Sequence, residues 1–315
     1  MSNLSDPVFQ QLLGGIFAAL ALGTIAGQLL KRRARSEDAR ATVANMNQRI
    51  KAWWVMCAIF AVAVLTGGIG SIILFALLSF LALREFITLV DSGRGDHRAL
   101  LIAFFLALPA QYVLVAIGWY GLFSILIPVY AFLLIPGVLA VVGETENFLQ
   151  RTATIQWGLA ICVYAISHAP ALLFLDIPGY DGREALLLLY LVLVVQLSDV
   201  LQYVFGKLFG RHKIAPRVSP NKTWEGFVGG VACATAIGTA LWWATPFDPL
   251  EAAMMSLLIA LVGFLGGLVM AAIKRDRRVK DYGALIPGHG GVLDRIDSLT
   301  FAAPVFFHVT RFFFQ

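Results

Sequence analysis

Apolar runs of about twenty residues recur along this chain, and each has the length a helix needs to cross a bilayer core of roughly 30 Å. Such runs are read at 9–30, 53–68, 70–90, 99–117, 120–142, 154–174, 184–201, 224–246, 251–273 and 298–314. With 59% hydrophobic and 14% charged residues in 315, and a mean hydropathy of +0.80, a water-soluble fold could not cover so much apolar surface. The expected fold class is therefore all-α: a polytopic integral membrane protein of about ten transmembrane helices with cytoplasmic catalytic loops.

The net charge of +5 matters less than where it lies. Residues 31–52, 204–223 and 274–297 are the most basic segments, and ten spans with the N-terminus outside put all three on one side, as the positive-inside rule requires. That side is expected to be the cytoplasm, with the bilayer as partner and nucleic acid excluded. In the first run the positive charge follows the apolar residues, unlike a cleaved signal peptide. Residues 1–52 are read as an extra N-terminal span plus a basic segment, surface-lying or solvated, closed by Trp53-Trp54. Residues 53–315 form one membrane domain. Pro128, Pro136 and Pro170 are expected to kink their helices. Cys57, Cys162 and Cys233 lack metal-ligand spacing and read as small core residues, and His168 as a hydrogen-bonded structural histidine. Arg84 and Glu85, at the end of an apolar run, either line a site or pair with each other.

Chemistry concentrates between Lys274 and Asp297, in KRDRRVKDYGALIPGHGGVLDRID, where six basic and four acidic side chains surround a glycine-rich turn. Asp294 and Asp297 are three apart and share a helix face if the chain restarts there as a helix. The turn can bring Asp281 back toward them. Carboxylates converging beside Lys and Arg suit a hard divalent cation held together with phosphate oxygens.

A second basic stretch runs from Gly206 to Glu225, with Lys207, Arg211, Lys213, Arg217 and Lys222 and no acid before Glu225. Ser219-Pro220 reads as a helix start whose free amides would face phosphate. It is not a P-loop, because the glycine-rich lead-in to Gly-Lys-Ser/Thr is absent. Asp199, near the end of its apolar run, is either paired or functional.

Both stretches resemble the CDP-diacylglycerol synthases, the CTP:phosphatidate cytidylyltransferases. The first matches their C-terminal signature, Lys-Arg, then Lys-Asp, then Pro-x-His-Gly-Gly-x-x-Asp-Arg-x-Asp. The second carries Asp199, Tyr203 and Gly206 and an intact Ser-Pro-x-Lys-Thr-x-Glu-Gly box. The likeness covers roughly 55–315 and is strongest in the last 120 residues. One departure stands out: where that family has Gly-Asp-Leu-x-Glu-Ser, this chain reads Gly266-Gly267-Leu268-Val269-Met270-Ala271.

The resemblance implies transfer of a cytidylyl group from CTP to phosphatidate, giving CDP-diacylglycerol and pyrophosphate in phospholipid synthesis. It implies Mg2+, alone or with a monovalent cation, and a chain acting alone or as a homodimer in a bacterial inner membrane. Asp294 and Asp281 are assigned to the metal, with Asp297 and Asp199 as further ligands or orienters. Lys222, Arg217, Lys280 and Arg295 are assigned to triphosphate or lipid phosphate, with Ser219, Asn221, Thr223 and Lys274 also at the substrates. His289 either bonds phosphate or holds the turn. The rival expectations are a CTP-dependent lipid or polyprenol kinase and a non-catalytic membrane protein acting as transporter or assembly partner.

Overall fold

In hydrocarbon a helix satisfies all of its own backbone groups, and each apolar run takes that form. The structure, a computed structural model, describes residues 6–33, 36–89, 94–143, 145–286, 288 and 290–315. Eight helices are long and apolar enough to cross a membrane. They are α1 (Pro7–Arg33), α2 (Glu37–Leu65), α3 (Gly68–Thr88), α4 (His97–Ala116), α5 (Tyr120–Val142), α6 (Phe148–Phe174), α7 (Glu184–Phe209) and α9 (Pro249–Asp276). Two further helices complete the ten segments expected. α8 (Trp224–Ala240) has only 17 residues, and α10 (Leu293–Phe314) carries Asp294, Arg295 and Asp297 in its first turns. α4, α5 and α6 each contain a π-helical turn, at Ala103–Ala107, Leu126–Ala131 and Ala160–Ala165. Pro128 lies in the second of these.

Successive helices run antiparallel, so the connections after α1, α3, α5, α7 and α9 gather at one end. Contacts across the bundle agree. Asp96 pairs with Arg151 at 2.7 Å at that end, and Asp6 with Arg183 at 3.4 Å at the other. Among the described residues every Lys and Arg except Arg183 and Arg311 belongs to the half of the bundle nearer the first end. α10 is central, packed against α3, α6, α7 and α9. α1 is peripheral: only 6% of its apolar window is buried, and α2 is its main neighbour.

Two expectations change. The basic segment 31–52 is not a separate element, because α2 runs unbroken through the 52/53 boundary. No Gly or Pro interrupts it, and Ser36 caps it by accepting from Ala39 N at 3.2 Å, with Glu37 and Asp38 in the first turn. Trp54 faces α1, stacked on Phe17 at 5.6 Å and donating to Thr24 Oγ1 at 3.0 Å. The second change concerns Ser219-Pro220, which starts no helix. Ser219–Thr223 is strand β2, antiparallel to β1 (Lys213–Ala215). The hairpin pairs backbone groups that a helix would otherwise satisfy, a two-stranded edge tolerates Pro220, and Thr223 becomes the N-cap of α8, accepting from Gly226 N at 3.1 Å.

α8 crosses α7 at backbone contact. A Cβ on Gly226 would lie 2.7 Å from Gln202 O and 2.9 Å from Gly206 Cα, atoms that cannot swing aside. Gly226→Ala is therefore expected to cost about 1–3 kcal/mol of stability, read as a lower midpoint of thermal unfolding in detergent. Gly14→Ala, at a site with open space around it, is expected to leave the midpoint unchanged or raised.

Candidate active site

Where α10 begins, two carboxylates collect the loop that joins it to α9. Glu85, from the end of α3, accepts from Val292 N and Leu293 N at 2.9 Å each, so it caps the N-terminus of α10. Asp294, 5% exposed, accepts from Tyr282 N at 2.7 Å and Gly291 N at 3.0 Å on one oxygen, and from Lys274 Nζ at 2.7 Å on the other. Tyr282 is buried, donates its hydroxyl to Met270 O at 2.9 Å and stacks on Phe86. The loop between α9 and α10 is thus tied to α3, α9 and α10 together. Asp281 lies close by: a Cβ on Gly290 would be 3.0 Å from Asp294 Oδ2 and 3.4 Å from Asp281 Cγ. The φ of +87° at Gly290 is one that glycine adopts without strain.

A second acidic pair forms one turn further along α10. Asp297 and Asp199 act on each other across the α7–α10 contact, with the Ser298 hydroxyl, Lys222 and Arg295 beside Asp199 and Lys274 beside Asp297. Lys222 reaches in from β2, its Nζ 3.5 Å from Phe264 O and 4.4 Å from the centre of the Phe264 ring. Burial holds its ammonium below the usual lysine range, while Asp199 and Asp297 pull it back up. Gly267 sits at this point too: a Cβ there would be 3.0 Å from Lys222 Nζ and 3.3 Å from Ser298 Oγ. The carboxylate missing from the Gly-Asp-Leu-x-Glu-Ser box would have projected into this cluster.

Lys222, Lys274, Asp199, Asp297, Asp294, Asp281 and Arg295 therefore gather at the basic end. Other sequence candidates do not join them as closely. Arg217 is exposed at the hairpin turn, Asn221 is exposed in β2, Ser219 is half-buried in β2, and Thr223 serves as a helix cap. Lys280 is exposed on the loop, beside Asp281. His289 lies outside the described residues. No group of three or more His, Cys, Asp or Glu close enough to share a metal ion occurs among the described residues.

Tyr282 carried no motif signal of its own. Glu85 did carry one, a carboxylate at the end of an apolar helix, but not its destination. Nor did any local pattern point to Arg49 of α2. With Lys280, Asp281, Arg295 and glycines of the loop, it lines a cavity of about 410 Å³.

Asp294 has both oxygens engaged by protein groups, and Lys274 is nearly as buried as its partner. Asp294→Asn removes the carboxylate bonded to that ammonium, leaving it only the neighbouring Asp297, and is expected to cost about 3 kcal/mol, seen as early thermal unfolding. Adding Lys274→Met to it is expected to recover part of the loss. A midpoint like that of the wild type in the single variant would show that the pair does not fasten the loop.

Comparison with known proteins shows the family to which the chain belongs. The cytidylyltransferase family matches residues 47–313. An uncharacterised protein of Escherichia coli strain K12, YnbB, is 39% identical over 309 residues, which is 97% of this chain and 99% of that protein. A phosphatidate cytidylyltransferase of Staphylococcus saprophyticus is 30% identical over 266 residues, 78% of this chain and 92% of that protein. One from Staphylococcus aureus strain COL is 43% identical over 120 residues, which is 38% of this chain and 46% of that protein. A match running from α2 to the end of α10, with both charged stretches inside it, makes this chain a member of the cytidylyltransferase family.

Proposed function

We propose that the protein transfers the cytidylyl group of CTP to phosphatidate, forming CDP-diacylglycerol and pyrophosphate for phospholipid synthesis, with its basic end facing the cytoplasm of a bacterial inner membrane. The observation that carries this reading is the meeting of Asp199, Asp297, Lys222, Lys274 and Arg295 where α7, α9 and α10 reach the basic end. There a lipid headgroup and a soluble nucleotide can meet.

In this reaction a phosphate oxygen of the lipid attacks the α-phosphorus of CTP. The bond from that phosphorus to the oxygen bridging to the β-phosphorus breaks, and pyrophosphate leaves with the electron pair. The attacking group is already anionic at neutral pH, so no strong general base is required, and the described residues are suited to positioning and charge compensation. Lys222 and Arg295 hold phosphate oxygens, and Lys280 extends that surface into the cavity. Asp294 and Glu85 keep the loop in place while this happens.

The donor chemistry fits magnesium. Asp199 and Asp297 offer hard oxygen donors side by side, and magnesium uses one or two carboxylates and completes its shell with water and substrate phosphates. Asp199 and Asp297 would hold it, with Asp281 at the rim, and when bound it would withdraw charge from the phosphates being cleaved. Asp294 is less suited to ligation because Lys274, Tyr282 N and Gly291 N occupy its oxygens.

The test is pyrophosphate release by the full chain in lipid vesicles supplied with CTP, phosphatidate and magnesium. Asp297→Asn is expected to lower the rate about 100-fold or more while keeping a normal unfolding midpoint. Gly267→Asp, which sets a carboxylate beside Lys222, is expected to lower the magnesium concentration giving half-maximal rate. Release of CDP in place of pyrophosphate would identify a kinase, and no turnover in the wild type would reject transfer.

A further inference from the structure

The cavity of about 410 Å³ beside the acidic cluster has an unexpected wall. Most of its lining comes from the loop between α9 and α10: Lys280, Asp281, Gly283, Gly288 and Gly290 among others, with Arg295 from α10. Arg49, however, comes from α2, more than two hundred residues earlier in the chain. The neighbouring Gln48 confirms the contact, since a Cβ on Gly288 would be 3.5 Å from its side chain. α2 is held in this position by α1, to which Asn47 Nδ2 donates at Gly27 O over 3.3 Å.

Three cations and one carboxylate therefore face a single space. Neither Arg49 nor Lys280 forms an ion pair among the described residues. Like charges converging on one cavity repel unless an anion enters between them. Ordinary positive-inside topology puts Lys and Arg on this side of the membrane, but it does not require three of them to surround one cavity. Glycine in the wall leaves backbone amides within reach of a ligand, and arginine's planar fork matches a phosphate group with two parallel bonds.

We propose that this cavity is a phosphate-binding subsite completed by Arg49 of α2, and that the α1–α2 hairpin is therefore a working part of the site and not only a membrane anchor. The identity of the anion rests on the proposed transfer reaction: it is a phosphomonoester or diphosphate, either the lipid headgroup before transfer or the pyrophosphate after it. Arg49 binds the anion, and Asn47, through its bond to α1, keeps Arg49 at the correct height along the loop.

The experiment measures binding to the purified full chain in detergent by calorimetry, without divalent cation, using inorganic pyrophosphate and dioctanoyl phosphatidate as separate probes. Arg49→Ala is expected to weaken at least one probe about 10-fold or more, and the probe affected tells which source the subsite serves. Arg49→Lys is expected to recover part of the affinity. Lys280→Ala, a second variant in the same cavity, is expected to weaken the same probe. Lys51→Ala, exposed on the same helix outside the cavity, is expected to change neither. Equal affinities for both probes in the wild type and Arg49→Ala, or an equal loss in Lys51→Ala, would overturn the subsite and leave the transfer reaction standing. Arg49-dependent binding in a protein that releases no pyrophosphate from CTP would do the reverse.

Discussion

The structure at the basic end depends on the carboxylate of Asp294. It stands in the first turn of the central helix α10 and accepts bonds from Lys274 of α9 and from two backbone amides of the loop that joins them. A single charge-assisted bond would be a modest contribution, but three on one buried carboxylate leave the loop little freedom. Glu85 of α3 closes the arrangement from the other side through the first amides of α10. Loop position follows from these two side chains, and the placing of Asp281, Lys280 and Arg295 follows from the loop.

The bilayer explains why so much polarity gathers there. Charged groups are expensive in hydrocarbon and collect where helices leave it, so an amphiphilic substrate and a soluble one meet most easily at that level. Asp199 and Asp297 lie just inside this boundary, on α7 and α10, and Lys222 reaches them because close packing of α7 and α8 brings the hairpin over the helix ends. The opposite end has a different character. Its described polar contacts, such as Asp6 with Arg183 and Tyr120 with His308, join helices and connections without converging on a charged cavity.

Much of this was legible from residues alone. Apolar run length gave the helices, and the three basic segments gave their common end. The separation of Asp294 from Asp297 placed them on one helix in neighbouring turns. What local pattern could not show was partner choice. Asp294 reads as a metal ligand by motif, but its oxygens are filled by groups 3, 12 and 20 residues away. Ser219-Pro220 has helix-start chemistry, yet the chain pairs it with Lys213–Ala215. Arg49 carries no signal because its role depends on how α1 and α2 pack, a long-range property. His168, by contrast, met its expectation locally, its Nδ1 lying 2.7 Å from Tyr164 O four residues back in the same helix.

Gly267 marks where this chain departs from the signature it otherwise carries, and the space left there is taken up by the end of Lys222. The remaining acids and cations are the groups to which the proposed cytidylyl transfer assigns the positioning of two polyanions. The most direct measurement follows phosphorus from labelled CTP in vesicles containing phosphatidate and the full chain. Label in the α-position should pass into the lipid while label in the γ-position leaves as pyrophosphate. Appearance of the γ-label in lipid, or of no label at all, would contradict the account.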